Sequence, residues 1–235
     1  KYYNMKNIVI ATIKEWNINN YFELKKELEN EYSLYLLTNK DELSFKNIEK
    51  INPKYIFFPH WSWIIPENIY KNYECILFHM TDLPYGRGGS PLQNLIINKV
   101  YNTKISALKV TKGLDEGDIY LKEDFDISKG SANEIYINAS KLIFKKLIPN
   151  ILRQNPTPVR QEGDVVNFKR RTPEQSNIKM LNDVSIANLY DFIRMLDAPS
   201  YPKAYLELDN FKMELFEVII KDGKLEGRFE VSKHE

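Results

Sequence analysis

The sequence predicts an α/β fold, because short strand-like runs alternate with helical runs over its first half. The opening run, Asn7–Thr12, is rich in β-branched residues and is typical of a buried strand. A helical period over Tyr21–Glu31 and a second strand over Tyr32–Leu37 complete a strand-helix-strand unit, which connects parallel strands. We therefore expect a Rossmann-like, mainly parallel sheet with helices on both faces, followed by a small C-terminal α+β appendage.

The alternation continues along the chain and then changes character. The next predicted elements are a helix near Glu42–Lys50, a strand over Lys54–Phe58, a short helix near Pro66–Lys71 and a strand over Cys75–Phe78. Beyond a loop at Asp82–Pro91 we predict a helix over Leu92–Val100, strands over Lys104–Val110 and Asp118–Phe125, and a long helix over Ser131–Leu152.

The C-terminal part has a different composition. The Pro- and polar-rich stretch Gln154–Gly163 predicts a linker or a surface wrap. After it we predict a helix over Val184–Leu196 and strands over Ala204–Leu208, Phe211–Ile220 and Leu225–Val231. The sequence thus predicts an N-terminal domain of residues 1–165 and a small C-terminal region of residues 166–235.

Composition and charge exclude several classes of protein. The 235 residues carry 33 Lys and Arg against 32 Asp and Glu, so no global field attracts nucleic acid or acidic membranes. The single cysteine, Cys75, cannot form an internal disulfide or a thiolate metal cluster. His60 and His234 are not at zinc-binding spacings, so no metal site is expected. Without a signal-peptide pattern or a long apolar run, we expect a cytoplasmic protein that binds neither membranes nor nucleic acid.

A glycine-rich segment follows the strand that ends near His79. Glycine clusters such as Gly86–Gly89 occur in nucleotide-binding loops. The dinucleotide pattern G-x-G-x-x-G would require a glycine at position 91, which is Pro91, and the sequence contains no Walker motif. Ser62 and Ser90 lack the elbow of a serine hydrolase. Because ligands bind at the carboxyl ends of parallel strands, His79 and this loop form a candidate site. A strand-end histidine beside an ordinary turn would give the same pattern.

The segment from His79 to Leu92 resembles the signature of the formyltransferases that use 10-formyltetrahydrofolate. That signature is matched at Thr81, Leu83, Pro84, Arg87, Gly88, Ser90 and Pro91. A second family motif, Asp-x-Gly between two strands, is matched by Asp115–Gly117. Later stretches, Lys169–Ser176 and Ile193–Ala204, are similar to the family's Arg-Arg-Thr-Pro segment and its Pro-containing stretch. The resemblance spans roughly residues 6 to 205.

The resemblance implies that His79 and Asp115 are catalytic. Formyl transfer needs one group that takes a proton from the attacking amine and another that stabilises the oxyanion. His79 suits either task, and Asp115 would orient the imidazole and accept an amine proton. Without the family spacing, Asp115 would be interpreted as an ordinary turn aspartate.

The chain departs from the family at one catalytic position. The family carries an Asn two residues before the His, whereas this chain has Leu77, so the amide donor to the formyl oxygen is missing. A backbone N–H of the glycine loop, His79 itself or His60 at the tip of the neighbouring strand would have to replace it. The alternative is an inactive module that binds folate or a sugar nucleotide, although the presence of both His79 and Asp115 argues against it.

The resemblance also implies binding residues. The pteridine of 10-formyltetrahydrofolate is expected against the end of the third strand and the loop before Asp115. Cofactor contacts are therefore assigned to His60, Trp61, Ser62, Thr111, Gly113 and Leu114. Substrate contacts are assigned to Thr81, Arg87, Gly88 and Ser90. Trp61 would suit a core position equally well, and Arg170 and Arg171 suit loop attachment better than phosphate binding.

The acceptor is predicted by comparison within the family. Its enzymes for initiator tRNA carry a larger C-terminal barrel and a basic surface, whereas this chain is near neutral and has about 60 residues after its Arg-Arg-Thr-Pro segment. Its enzymes for glycinamide ribonucleotide keep the Asn and lack an appendage. We therefore predict formylation of a nucleotide-linked amino sugar for surface polysaccharide. A homodimer through the C-terminal strands is left open. A methionyl-tRNA formyltransferase-like enzyme with another amine acceptor is the alternative.

Overall fold

The computed structural model describes residues 5–199 and 201–233 and divides them into two compact units. Unit 1 contains the described residues up to Arg87 together with Lys104–Phe125 and Ile137–Val166. Unit 2 contains Gly88–Thr103, Asp126–Tyr136 and the described residues from Asn167 onward. Ser200, within the stretch Ile193–Ala204 that resembles the family, and His234 lie outside the described residues. The two-domain division at residues 165 and 166 stays a prediction.

Unit 1 is built on a six-stranded sheet with the order β2-β1-β3-β4-β6-β7. These strands are β1 Lys6–Ala11, β2 Tyr32–Leu37, β3 Tyr55–Phe58, β4 Cys75–His79, β6 Asn102–Lys109 and β7 Ile119–Asp126. Strand β1 pairs in parallel with β2 and β3, β3 pairs in parallel with β4, and β4 pairs antiparallel with β6. The strand order reverses at β1, and such a reversal opens a crevice at the carboxyl ends of the strands. The predicted mainly parallel sheet is therefore confirmed.

Helices cover both faces of this sheet, as predicted. On one face α2 (Phe45–Ile51) and α3 (Glu67–Tyr70) bury Ile48 and Ile69 against strand residues that include Val9. The other face carries α1 (Glu15–Glu27), whose Tyr21 hydroxyl donates to a β2 carbonyl oxygen at 2.9 Å. Because β1 is covered on both sides, its last four residues are fully buried, which explains their unbroken apolar sequence.

Three of the predicted elements differ most from the observed ones. Helix α1 begins at Glu15, six residues before the predicted start at Tyr21. The sequence pattern missed the first turn because its buried residue, Asn17, is polar and so gives no amphipathic signal. The predicted loop Asp82–Pro91 contains a short strand, β5 (Tyr85–Gly88), which pairs with β8 (Val166–Phe168).

The third difference is the helix predicted over Ser131–Leu152. It is divided into α5 (Ala132–Leu142), a π-helical segment (Ile143–Leu147) and α6 (Ile148–Gln154). Pro149 has no N–H to donate to the preceding turn, so the regular α-helical ladder cannot continue through this point.

The C-terminal elements of unit 2 follow the prediction closely. Besides α4 (Pro91–Ile97), the unit contains α7 (Ile186–Arg194) and a three-stranded antiparallel sheet ordered β11-β10-β9. The strands are β9 Ala204–Leu208, β10 Phe211–Lys221 and β11 Lys224–Lys233. Strand β11 lies at one edge and exposes Phe229 and Val231. The homodimer contact through these strands stays a prediction.

A buried ionic cluster organises α7. The Asp191 carboxylate accepts hydrogen bonds from the Tyr101 hydroxyl at 2.5 Å, the Lys99 ammonium at 3.0 Å and the Arg194 guanidinium at 2.8 Å. Arg194 is 1% exposed and also donates to two backbone carbonyls in the turn before α5. Burial alone would raise the pKa of Asp191, but these hydrogen bonds outweigh it and lower the pKa below its ordinary value.

We expect Asp191→Asn to lower the free energy of unfolding by about 3–5 kcal/mol at pH 7, because Arg194 stays buried without its counter-charge. Because the pKa of Asp191 is lower in the folded state than in the unfolded state, its ionised carboxylate stabilises the fold above the ordinary carboxyl pKa. This stabilisation is lost as the pH falls through the pKa of Asp191 in the folded protein. Urea denaturation at pH 7 and pH 3 should therefore show a difference that shrinks in acid. Glu67→Gln, which breaks the exposed pair of Glu67 with Lys71, is the control and should show no measurable change. Equal behaviour of the two variants would contradict this account.

Candidate active site

His79 ends β4 and lies buried at the carboxyl edge of the parallel strands. Its Nε2 lies 2.7 Å from the Gly86 carbonyl oxygen, and because a carbonyl only accepts, Nε2 carries a proton. The fully buried Thr81 hydroxyl donates to the same carbonyl at 3.3 Å. The glycine loop thus fixes the imidazole, and Nδ1 is the nitrogen that faces Asp115.

Asp115 approaches His79 from the loop between β6 and β7. Its Oδ2 lies 3.6 Å from His79 Nδ1, which is within ion-pair range but longer than a hydrogen bond. Asp115 has a left-handed backbone with φ of 55° and is 6% exposed. At Gly117 an added Cβ would lie 1.7 Å from the Lys109 carbonyl oxygen, so only glycine fits. The Asp-x-Gly spacing is therefore a packing requirement of this turn.

Gln161 links this loop to Arg87. Its Nε2 donates to the backbone carbonyls of Asp115 and Gly117, both at 2.8 Å. Its Oε1 accepts from Arg87 Nε at 3.1 Å and from Arg87 Nη2 at 2.8 Å. Arg87 also lies 3.9 Å from the Glu116 carboxylate. The guanidinium, predicted to bind substrate, thus holds the Asp115 loop through Gln161.

His60 follows β3 at the strand end next to that of His79. Phe58 of β3 is paired with Leu77 of β4. His60 lies two residues after Phe58, and His79 lies two residues after Leu77, so both histidines lie at the same edge of the sheet. His60 has a left-handed backbone with φ of 55°, and its Nδ1 lies 3.2 Å from Asn17 Nδ2. Burial, helped by the nearby charge of Lys14, lowers the pKa of His60 to about 4, so the ring is neutral at pH 7.

The remaining predicted cofactor residues differ in exposure. Trp61 is half-buried and packs edge-on against Phe58 and Trp63, with ring centroids 6.0 Å and 4.8 Å away, so it has the core contacts that its alternative interpretation required. Ser62 and Thr111 are exposed, and Leu114 is 70% exposed. At Gly113 an added Cβ would lie 1.9 Å from the Glu116 carboxylate.

Leu77, where the family has Asn, has apolar neighbours. It is half-buried and packs against two clusters, one containing Phe58 and the other containing Leu83, Leu108 and Ile119. An amide among these side chains would have to find hydrogen-bond partners, since a buried unpaired amide is costly.

The predicted substrate residues of unit 2 hold their own loop. At Gly88 φ is 106°, and an added Cβ would lie 2.4 Å from the Phe168 carbonyl oxygen. The Ser90 hydroxyl oxygen accepts from the Arg171 backbone N–H at 3.0 Å. The Arg171 guanidinium donates to the Gln175 carbonyl oxygen at 2.6 Å, and burial lowers its pKa. These contacts agree with the loop-attachment interpretation of Arg171.

Gln161 and Asn17, which contact predicted site residues, were not predicted from the sequence. Gln161 lies in the stretch interpreted as a linker, and Asn17 lies in the unrecognised first turn of α1. A signal for Asn17 was its position just after β1, next to the strand-order reversal. Over residues 5–199 and 201–233, no group of three or more His, Cys, Asp or Glu side chains could hold a metal ion. Within the same ranges, no helix has the length and apolar character needed to cross a membrane.

The mainly parallel sheet joined to a small antiparallel C-terminal sheet defines the class as the formyltransferase fold. Residues 173–232 match the family described as methionyl-tRNA formyltransferase, C-terminal domain. The methionyl-tRNA formyltransferase structure from Clostridium thermocellum is 49% identical, covers 98% of this chain and 100% of its own, and has a TM-score of 0.93. The chain therefore belongs to the formyltransferase family that includes the methionyl-tRNA formyltransferases, which confirms the resemblance.

Other relatives differ in length or are more distant. The curated methionyl-tRNA formyltransferase of Rickettsia massiliae is 33% identical over 136 residues, which cover 56% of this chain and 45% of that protein. The chain thus spans about half the length of the first curated relatives that it matches. A sugar N-formyltransferase from a Shewanella species is 15% identical, covers 96% of this chain and 97% of its own, and has a TM-score of 0.70. At that identity the likeness shows the fold alone.

We expect Gln161→Leu to loosen the Asp115 loop, because two hydrogen bonds to its backbone are lost. At about 1 kcal/mol each, their loss should speed amide hydrogen exchange over residues 111–118 by about tenfold or more. The exposed Gln154 at the end of α6 gives a matched control, and Gln154→Leu should leave this exchange unchanged. If the loop exchanged at the same rate in both variants, Gln161 would not hold it.

Proposed function

We propose that this chain transfers the formyl group of 10-formyltetrahydrofolate to a primary amine. The observation that carries the proposal is the meeting of His79 and Asp115 at the carboxyl edge of the sheet, with 3.6 Å between Nδ1 and Oδ2. Family membership supplies the donor, since this family uses 10-formyltetrahydrofolate. The loops after β3 and before Asp115, with His60, Trp61, Ser62, Thr111, Gly113 and Leu114, are the proposed folate contacts.

In the proposed reaction the amine nitrogen attacks the formyl carbon. A new C–N bond forms while the carbonyl electrons move to the oxygen. Asp115 accepts the proton that the amine loses, and His79, whose Nδ1 faces Asp115, shares that proton. When the tetrahedral intermediate collapses, the bond from the formyl carbon to N10 breaks and the proton passes to N10. The products are the formamide and tetrahydrofolate.

For the acceptor we favour the amine of a nucleotide-linked amino sugar used for surface polysaccharide. The segment matched to the tRNA enzymes' C-terminal domain, residues 173–232, has seven Lys and Arg against eleven Asp and Glu, a formal charge of −4. Such a segment repels phosphate backbones, which usually supply most of the affinity for RNA. The sugar N-formyltransferase of the same fold supports the assignment by analogy.

A methionyl-tRNA acceptor is the second candidate, because the relative with 49% identity carries that name. Purified chain incubated with 10-formyltetrahydrofolate and either amino-sugar nucleotides or initiator methionyl-tRNA distinguishes the two. We expect donor consumption, followed by absorbance, with an amino-sugar nucleotide and not with the tRNA. Turnover of the tRNA alone would overturn the sugar assignment but not formyl transfer. Folate binding without turnover of any amine would favour the inactive module.

We expect His79→Ala and Asp115→Asn each to lower kcat by about 10²–10⁴, because each removes a group that handles the proton or the developing charge. Circular dichroism and thermal melting should show that both variants fold. Asp118→Asn, an exposed carboxylate on the same turn, is the control and should retain activity within about twofold. Full activity of either site variant would refute the roles assigned here.

A further inference from the structure

Strand β11 forms an exposed edge of the three-stranded sheet in unit 2. It pairs on one side with β10, and it is the last strand of that sheet on its other side. Because side chains alternate along a strand, every second residue lies on the same face. One face of β11 carries exposed charges that alternate in sign, at Lys224, Glu226, Arg228 and Glu230. The backbone of such an edge is a template for another strand.

The pairing of β11 with β10 leaves its charges unbalanced. Glu230 lies opposite Glu214, and Lys224 lies opposite Lys221. Like charges that lie directly opposite each other in an antiparallel pair are destabilising. Within the described residues, no salt bridge involves Lys224, Glu226 or Glu230. An added strand with charges of opposite sign at these positions would therefore stabilise the hairpin.

The other face of β11 carries exposed apolar side chains. Phe229 is 63% exposed and lies opposite Leu215 of β10. Leu225 lies opposite Ile220, which is 47% exposed. A partner strand that placed a leucine beside Phe229 and an aromatic ring beside Leu225 would cover part of this apolar surface.

A second copy of β11 meets both requirements in one register. Two identical strands pair antiparallel about a two-fold axis, and their outward backbone groups meet only if that axis passes through a residue. Axes through Glu226, Arg228 or Glu230 place identical charges opposite each other. An axis through Gly227 instead places Glu226 opposite Arg228 of the second copy, and Lys224 opposite Glu230. By symmetry each of these contacts occurs twice.

The other registers match less well. An axis through Phe229 keeps a contact between Arg228 and Glu230 but places the apolar Leu225 opposite Lys233. Axes nearer the ends of β11 leave only a few residues paired. The Gly227 axis forms four contacts between opposite charges and places Leu225 opposite Phe229, so it is the favoured register.

We propose that two copies of this chain associate through β11, paired antiparallel about Gly227, so that their three-stranded sheets become continuous. The rows that cross both copies are then Glu214–Glu230–Lys224–Lys221 on one face and Leu215–Phe229–Leu225–Ile220 on the other. Each pair of like charges lies beside a pair of the opposite sign, and the two apolar pairs join. The proposal gives the homodimer contact predicted from the sequence a definite register, and it is independent of the proposed reaction.

Sedimentation of the full chain over a range of concentrations measures this association. We expect a species of twice the 27.8 kDa of one chain, which dissociates on dilution. Glu226→Arg should weaken the association about tenfold or more, because both contacts between Glu226 and Arg228 become repulsive. Glu207→Arg makes the same change of charge on β9, at the opposite edge of the sheet, and should leave the association unchanged.

Arg228→Glu provides the complementary variant. It should weaken the association to a similar extent, and thermal melting should show that it folds despite losing its exposed contact with Glu217 at 3.3 Å. An equimolar mixture with Glu226→Arg should restore the association to within about threefold of the wild type, because opposite charges again face each other.

Three results would overturn the inference. A wild type that stays monomeric at every concentration would show that the charged edge prevents pairing. Unchanged association of Glu226→Arg would exclude the Gly227 register. A mixture of the two variants that associates no better than either variant alone would show that Glu226 and Arg228 do not face each other.

Discussion

The hydrogen bond between His79 Nε2 and the Gly86 carbonyl determines which tasks are left to the other groups of the site. It commits one ring nitrogen to the glycine loop and turns the other, Nδ1, toward Asp115. The imidazole is thereby held in one orientation without a hydrogen bond to the Asp115 carboxylate. Orientation of a catalytic histidine is usually attributed to its acidic partner, and here the loop provides it instead.

This arrangement depends on the sheet. Parallel pairing of β3 with β4 brings two strand ends side by side, so that His60 and His79 leave the sheet at the same edge. Antiparallel β6 runs back along β4 and ends beside Ile76, so the loop that follows it must turn back to bring Asp115 Oδ2 within 3.6 Å of His79 Nδ1. The close packing at Gly117 and the hydrogen bonds from Gln161 hold that loop. The site is therefore a consequence of topology and tight turns.

Sequence reasoning identified the parts whose signals are local. The strands are continuous apolar runs because they are covered on both faces, and the family spacing around His79 and Asp115 reflects turns that only particular residues can form. Gln161 was missed because its partners are more than 40 residues away and its own segment has no regular pattern. The strand β5 was missed because a four-residue strand containing two glycines shows no alternation.

Leu77 shows what packing gains from the residue that stands in place of the family's Asn. Its side chain joins two apolar clusters that meet near the end of β4, and burying that surface favours folding by about 25 cal/mol per Å². An amide at this position would lose that contact and would need partners of its own. Packing at the end of β4 therefore favours leucine over the family's amide at this position.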